Sequence, residues 1–362
     1  MRTYKEIVNK IKRYYQQAYK SSFYPSFSEL YFSKKSIIAY YGFLGDQNFG
    51  DEWVHQAAKQ LFADQTLLPI QRMMPIRGLI IKTFLSHKIK GIVIGGGTLI
   101  GPKFWFEEFV GLKAKNKPLF VHGTGVHKLP DFNKNWNIML KDGFFGGLRG
   151  LSSIKNLAEQ KLSAIAVGDA AFAMFSRNPN LKRAGNKVLI NLGTHVPYKG
   201  EEKVRFAIKT FIGYLINNGY QPVFYPFHSE DITQANKLKE EFPQIQILDI
   251  PAYYEQVEKV FEQAIFAVGE RLHFSVMAMM SGCPNYAINY DTKHYDMLES
   301  LDSEDFGHSP DMTNFDDIKQ TFENREKQDF SSVFDIIEHF RSLQVEEAKK
   351  FIKSCNEHAI TP

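Results

Sequence analysis

An α/β protein of two tandem Rossmann-like domains is what the sequence predicts, on three observations. Short apolar runs that read as strands alternate with amphipathic stretches that read as helices, the pattern of a parallel sheet. Several strands end in glycine-rich turns, at the edge where open α/β sheets take ligands. The alternation breaks once, at a polar stretch from Ser176 to Asn186 containing Pro179 and Gly185, and then restarts. The expected parts are a basic arm over 1–35, a first Rossmann-like domain over 36–180, a second over 181–310, and a helical segment over 311–362.

The 362 residues leave room for about two domains, and 44% hydrophobic with 23% charged residues is a globular composition. A net charge of +4 is too weak to argue for nucleic acid. The charge is uneven: Arg2, Lys5, Lys10, Lys12, Arg13, Lys20, Lys34 and Lys35 face only Glu6 and Glu29 in the arm. A basic, Tyr-rich helix can lie on an anionic membrane surface. Its apolar stripe is weak, however, which favours a solvated helix packed on its own domain. Cys283 and Cys355 have neither a metal-ligand spacing nor a disulfide pattern. With no apolar stretch of signal-peptide or membrane-spanning length, the expected location is cytoplasmic, a contact of the arm with the inner face of the membrane being the alternative to a packed arm.

Taken in order, Ser36–Tyr41 reads as a buried strand running into Gly42-Phe-Leu-Gly-Asp-Gln-Asn-Phe-Gly50, after which Asp51 and Glu52 suit the first turn of a helix to about Phe62. This is not G-x-G-x-x-G, so no nicotinamide fingerprint is present. Lys90–Ile94 is a strand ending in Gly95-Gly96-Gly97-Thr98-Leu99, a run costly in chain entropy. A helix over about 105–115, a strand Pro118–His122 and a second glycine-bearing loop, Gly123–Val126, follow. Phe144–Arg149 is a strand, Gly150–Ser153 starts a helix to Lys161, and Ala164–Val167 leads to Gly168-Asp169-Ala-Ala-Phe172. In the second half, strands are expected at Lys187–Leu192, Gln221–Tyr225, Ile245–Asp249, Ala264–Val268 and Asn285–Tyr290. Helices fall between them at about Glu201–Asn217, Asp231–Glu241, Tyr253–Gln263 and Ser275–Met280. From about Met312 the chain is acidic and helical, closing with Val345–Cys355.

Polar residues at strand ends are the candidates for chemistry. In the first half these are Asp46, Asn48, Asp51, Glu52, Thr98, Thr124, Arg149 and Asp169; in the second they are His195, His228, Arg271, His273, Asp291 and Lys293. If both halves face one cleft, Arg149, Arg271 and Lys293 converge on a small, highly charged anion. Arg271 and His273 stand at a helix start, where backbone N–H groups point outward. His122 and His127 read as structural, and Asp51 and Glu52 sit where they would serve either a helix N-terminus or a ligand. No D-x-D joins the halves, and H-E-x-x-H and G-x-S-x-G are absent, so neither a metal centre nor a hydrolase elbow is expected.

Over roughly 37–295 the chain resembles the polysaccharide pyruvyl transferase family. The resemblance is carried by Asn48, Gly50, Asp51 and Glu52 in the first loop, Gly95–Leu99, Arg149 with Ser152, Asp169–Phe172, Arg271-Leu272-His273, and Tyr290–Lys293. Gly150 stands where the family often has an aspartate, and Ala170 where a proline is usual. The resemblance implies a GT-B-like fold with a cleft between the two domains. It implies phosphoenolpyruvate as donor co-substrate, no other cofactor, and an acceptor sugar of a surface glycan or its precursor, free or lipid-linked. The product would be a pyruvate ketal, with phosphate released. Arg271, Lys293 and Arg149 would hold the anionic groups, Asn48, Asp51, Gly96, Gly97 and Thr98 would line the site, and His273 would be the proton carrier, since one group must both give and take a proton near pH 7. The alternatives are a GT-B glycosyltransferase using a nucleotide sugar, for which Glu270 is the arguable ribose ligand, and a non-catalytic glycan-binding scaffold of the same fold.

Overall fold

A computed structural model describes residues 30, 32, 34–44, 47–70, 87–103, 116–128, 132–178, 183–193 and 197–357. Nearly all of the arm over 1–35, the helix expected over 105–115, and the candidates Asp46 and His195 lie outside the described residues. The first half holds β1 (Ile37–Tyr41), α1 (Phe49–Leu61), β2 (Thr66–Ile70), β3 (Ile89–Ile94), β4 (Thr98–Ile100), β5 (Leu119–Val126), α2 (Lys134–Leu140), β6 (Phe145–Leu148) and α3 (Leu151–Ala158). The second holds β7 (Lys187–Asn191), α4 (Glu201–Asn217), β8 (Gln221–Phe224), α5 (Asp231–Glu241), β9 (Gln246–Ile247), α6 (Tyr254–Glu262), β10 (Phe266–Gly269), α7 (Leu272–Ser281), β11 (Asn285–Ile288), α8 (Thr292–Ser300) and β12 (Gly307–His308). Two helices close the chain, α9 (Phe315–Glu323) and α10 (Ser331–Glu357).

All pairings between these strands are parallel. The first sheet runs β2-β1-β3-β5-β4, with β6 also on β5; the second runs β12-β11-β10-β7-β8-β9. Each order reverses once. In the first sheet the chain leaves β1 for β2 on one side and returns to β3 on the other; in the second it leaves β7 for β8 and returns to β10. The crevice at such a switch point opens beyond the carboxyl ends of the two central strands. Phe43 follows β1, Gly97 follows β3, and Arg271 follows β10, so the fold itself carries these residues to the two crevices.

The structure departs from the expected elements in informative places. The Gly95–Leu99 and Gly123–Val126 loops are partly strand: β4 pairs with Gly125 and Val126, and β5 continues to Val126. Gly123, at φ +57°, supplies the kink that lets β5 run on, because an added Cβ would lie 2.5 Å from Ala170 N and Gly168 O. Ala164–Val167 forms only a single bridge, Leu148 to Ala166. The helix α8 was not anticipated; Asp291, read as a strand end, accepts a hydrogen bond from Lys293 N and caps it.

The halves share apolar packing. Phe49 and Trp53 on α1 join a cluster with Phe227, Tyr254, Phe274 and Met277 of the second half. Helix α10 returns to the first sheet: Phe351 and Cys355 fill the space left by Gly91, where a Cβ would lie 2.5 Å from each. Farther up α10, Gln344 is fully buried; its amide donates to Val167 O and Asp169 O, and its Oε1 lies 3.1 Å from His122 Nε2. With the amide nitrogen already donating, Oε1 must accept, so His122 is the neutral Nε2–H tautomer. Burial pushes the His122 pKa down to about 4, against the smaller upward pulls of Gln344 and Asp169. A lowered folded pKa means stability is full above the unfolded value of about 6.5 and is lost as pH falls towards 4.

Two outcomes follow. Gln344→Ala should cost about 2–4 kcal/mol in urea unfolding, since it strands His122 Nε2–H and two buried carbonyls. The wild-type Tm should fall as pH goes from 6.5 to about 4, and His122→Phe should flatten part of that slope.

Candidate active site

Three helix starts and two strand ends surround one cavity of about 250 Å³. Helix α1 brings Asn48, Gly50 and Asp51; α7 brings Arg271, Leu272 and His273; α8 brings Asp291, Thr292 and Lys293. The ends of β3 and β6 add Gly97, Thr98 and Arg149, and Phe43, His127 and Phe227 complete the wall. Of the sequence candidates, Asn48, Asp51, Gly97, Thr98, Arg149, Arg271, His273 and Lys293 therefore meet in one place. Gly96 does not line the cavity: an added Cβ would meet Val54 at 2.7 Å and Ala170 at 3.2 Å, so its bareness serves packing. His127, read from sequence as structural, is exposed and lines the wall. His228 instead forms the bridge to Asn48 that joins the halves.

The three cations are held differently. Arg271 caps α7 without a side-chain cap bond, and its guanidinium turns to Asp231 at the start of α5. Nε lies 3.1 Å and Nη2 2.5 Å from Asp231 Oδ1, and Asp231 is fully buried. Asp231 also accepts from Phe227 N and His228 N, and Gly193 must be bare there, because a Cβ would lie 1.9 Å from Oδ1. The pairing uses one edge of the guanidinium and leaves Nη1 outside it. Arg149 is 1% exposed, and Nε, Nη1 and Nη2 donate to Asp296 Oδ2, Gly97 O and Thr98 Oγ1 respectively. Lys293 is the least enclosed of the three, 3.8 Å from Asp291 Oδ2 and 5.3 Å from the Tyr290 ring centre. Burial pushes the Asp291 carboxyl up, and the Lys293 charge with its backbone N–H outweighs this, leaving it below the usual range. The expected convergence of cations thus occurs with a carboxylate behind each one.

Asp296 also explains Gly150. Its Oδ2 accepts from Ser153 Oγ at 2.6 Å and its Oδ1 from Ser153 N at 3.0 Å, and a Cβ at residue 150 would lie 2.1 Å from Asp296 O. The side chain absent at 150 leaves room for a carboxylate arriving from the other half.

His273 is 8% exposed, flanked by Trp53 at 5.9 Å between ring centres. Its Nε2 is buried without a hydrogen bond, 3.7 Å from Asp169 Oδ1. Asp169 is fully buried at the start of the 3-10 turn Ala170–Met174, where Oδ1 caps Ala171 N. Burial raises its pKa, but the proximity of His273, the Arg149 charge and the Ala171 N–H together bring it below the usual carboxylate range. Asp169 is one of the strand-end candidates of the sequence, whereas Asp231 and Asp296, the partners of the two arginines, carry no such signal.

The family described as polysaccharide pyruvyl transferase matches residues 4–292. The chain belongs to that family. None of the curated protein sequences compared with it matches. Among solved structures, the UDP-GlcNAc 2-epimerase of Neisseria meningitidis bound to UDP-GlcNAc superposes with a TM-score of 0.57 at 9% identity, over 89% of this chain and 99% of that one. A putative UDP-N-acetylglucosamine 2-epimerase from Listeria monocytogenes gives 0.55 at 9% identity, over 90% and 96%. The epimerase of Rickettsia bellii gives 0.54 at 11%, over 88% and 96%. At such identities the likeness is one of fold: the transferase has the GT-B plan of two Rossmann-like sheets.

Asp231→Ala should cost about 3–5 kcal/mol in chemical unfolding, because it leaves Arg271 buried and unpaired. Adding Arg271→Leu to it should recover much of that loss, a coupling a double-mutant cycle would read.

Proposed function

We propose that the protein transfers the enolpyruvyl group of phosphoenolpyruvate to two hydroxyls of a glycan sugar, forming a pyruvate ketal and releasing phosphate. The observation that carries this reading is one small cavity lined at once by Arg271, Lys293, Arg149 and His273 in a member of this family. Phosphoenolpyruvate puts a phosphate and a carboxylate on one carbon, and its recognition needs several fixed donors. Lys293 and the remaining edge of Arg271 serve as those donors, with the uncapped N–H groups at the start of α7. Arg149, saturated by the protein, adds positive potential and holds the Thr98 and Gly97 wall. Asn48 and Asp51 bond each other at the α1 start and form the wall opposite.

In the reaction, His273 as imidazolium gives a proton to the methylene carbon, and C2 becomes electrophilic. A sugar hydroxyl adds to C2 and returns a proton to His273; phosphate then leaves, and the second hydroxyl closes the ketal with loss of its proton. One hydroxyl proton ends on the new methyl group and the other leaves with phosphate. Phe43 and His127, two exposed residues on the first-half wall, face the acceptor. An acceptor that is lipid-linked and a site of action at the inner membrane face belong to the same proposal. A nucleotide-sugar donor is disfavoured because Glu270 is fully buried and engaged by Gly193 N, Tyr198 and Arg205.

With phosphoenolpyruvate and candidate acceptor glycans, phosphate and acid-labile pyruvate should form in equal amounts; turnover of nucleotide sugars instead would overturn the reading. His273→Ala should lower kcat by about 10²–10⁴ with donor affinity nearly unchanged by calorimetry. Arg271→Ala should weaken donor binding about tenfold or more.

A further inference from the structure

The orientation of the His273 ring asks for an explanation that the transfer reaction alone does not supply. One nitrogen, Nε2, is buried, bonded to nothing, and points at the fully buried Asp169 carboxylate 3.7 Å away. Asp169 Oδ2 is likewise buried without a hydrogen bond. The other nitrogen, Nδ1, lies over the backbone of Gly50, where a Cβ would sit 2.1 Å from it. Gly50 and His273 both line the cavity, the bare glycine makes room for the ring, and of the two ring nitrogens only Nε2 is buried without a hydrogen bond. The near oxygen, Oδ1, already accepts from Ala171 N, but a carboxylate has capacity for further donors, and a buried ring N–H beside it gains by donating to it. Contacts of this kind are often long in the free enzyme and tighten in the complex.

We propose that Asp169 is the positioning residue for His273: its carboxylate holds the ring by Nε2–H, so that Nδ1 is the nitrogen that gives and takes the substrate proton. This rests on the reading of His273 as the proton carrier. The acid is itself held from behind, because Gln344 of α10 donates to Asp169 O and Asp169 Oδ1 caps Ala171 N. It belongs to the first half of the chain and His273 to the second, so the pair exists only with the cleft assembled. The other titratable groups on the walls around His273 are Asp51, His127, Arg149, Arg271, Asp291 and Lys293; Asp169 Oδ1 lies within ion-pair distance of the ring, at 3.7 Å.

The test uses the full-length chain. Asp169→Asn keeps an oxygen for the Ala171 cap and removes the charge. The expected result is a fall in kcat of about 10²-fold or more with the phosphoenolpyruvate KM within about threefold, as for loss of ring orientation rather than of binding. Asp169→Glu should recover part of that loss. In ¹⁵N NMR of the wild type, the neutral His273 ring should show the Nε2–H tautomer, and Asp169→Asn should change the tautomer balance. A wild-type ring in the Nδ1–H form, or an Asp169→Asn enzyme with unchanged kcat, overturns the proposal. The NMR arm needs no turnover, so an inactive wild-type enzyme would instead count against the transfer reaction.

Discussion

The buried ion pair between Arg149 and Asp296 is the constraint on which the site depends. Arg149 ends β6 in the first half, Asp296 lies in α8 of the second, and their side chains are 1% and 4% exposed. A charge so buried is tolerable only with its partner in place. The pair therefore holds the halves at one distance: any opening there gives up a short ion pair and the hydrogen bonds from Ser153 to Asp296. Ser153 and Ser152 strengthen the joint through Asp296 and Glu299, and the Asn48–His228 bridge ties the opposite wall. The cavity between these ties inherits its width from them.

The electrostatics of the cavity follow from the same economy. Each cation on the wall has a carboxylate at its back, so the walls are far closer to neutral than a list of basic residues suggests. The carboxylates weaken the pull on an anion and give the donors fixed direction. Arg271 presents a set edge, Arg149 presents almost nothing, and Lys293, the most exposed, remains adjustable. In the proposed reaction such a site would bind a doubly anionic donor without retaining the phosphate it releases. Preorganised partial charge is the usual way to meet both demands.

Much of this was legible in the chain. The β/α alternation is visible because strands buried on both faces must be apolar and their helices amphipathic. Glycine runs at strand ends announced the ligand edge, and Arg271, His273 and Lys293 were marked by standing just past strands. The short β4 was hidden because Gly95–Leu99 has no period of its own; it becomes a strand only because β5 offers it partners. Asp231 and Asp296 were hidden because each lies in a helix, at a position indistinguishable from a solvated acid until the fold brings an arginine to it. Gly150 and Gly96 looked like site or departure and are packing answers, set by Asp296 in one case and by Val54 and Ala170 in the other.

Sequence alone determined the β/α alternation, the two halves and most of the residues at the carboxyl edges, because these depend on local periodicity and on side-chain polarity. Only the tertiary structure decided which acid faces which base, since those partners lie 40 to 147 positions apart in the chain. The stretch Arg271-Leu272-His273 shows the division plainly. Its residue types marked it as a candidate for charge and proton transfer; its neighbours Asp231 and Asp169, brought from elsewhere, decided which edge of the arginine is paired and which nitrogen of the histidine is buried beside an acid.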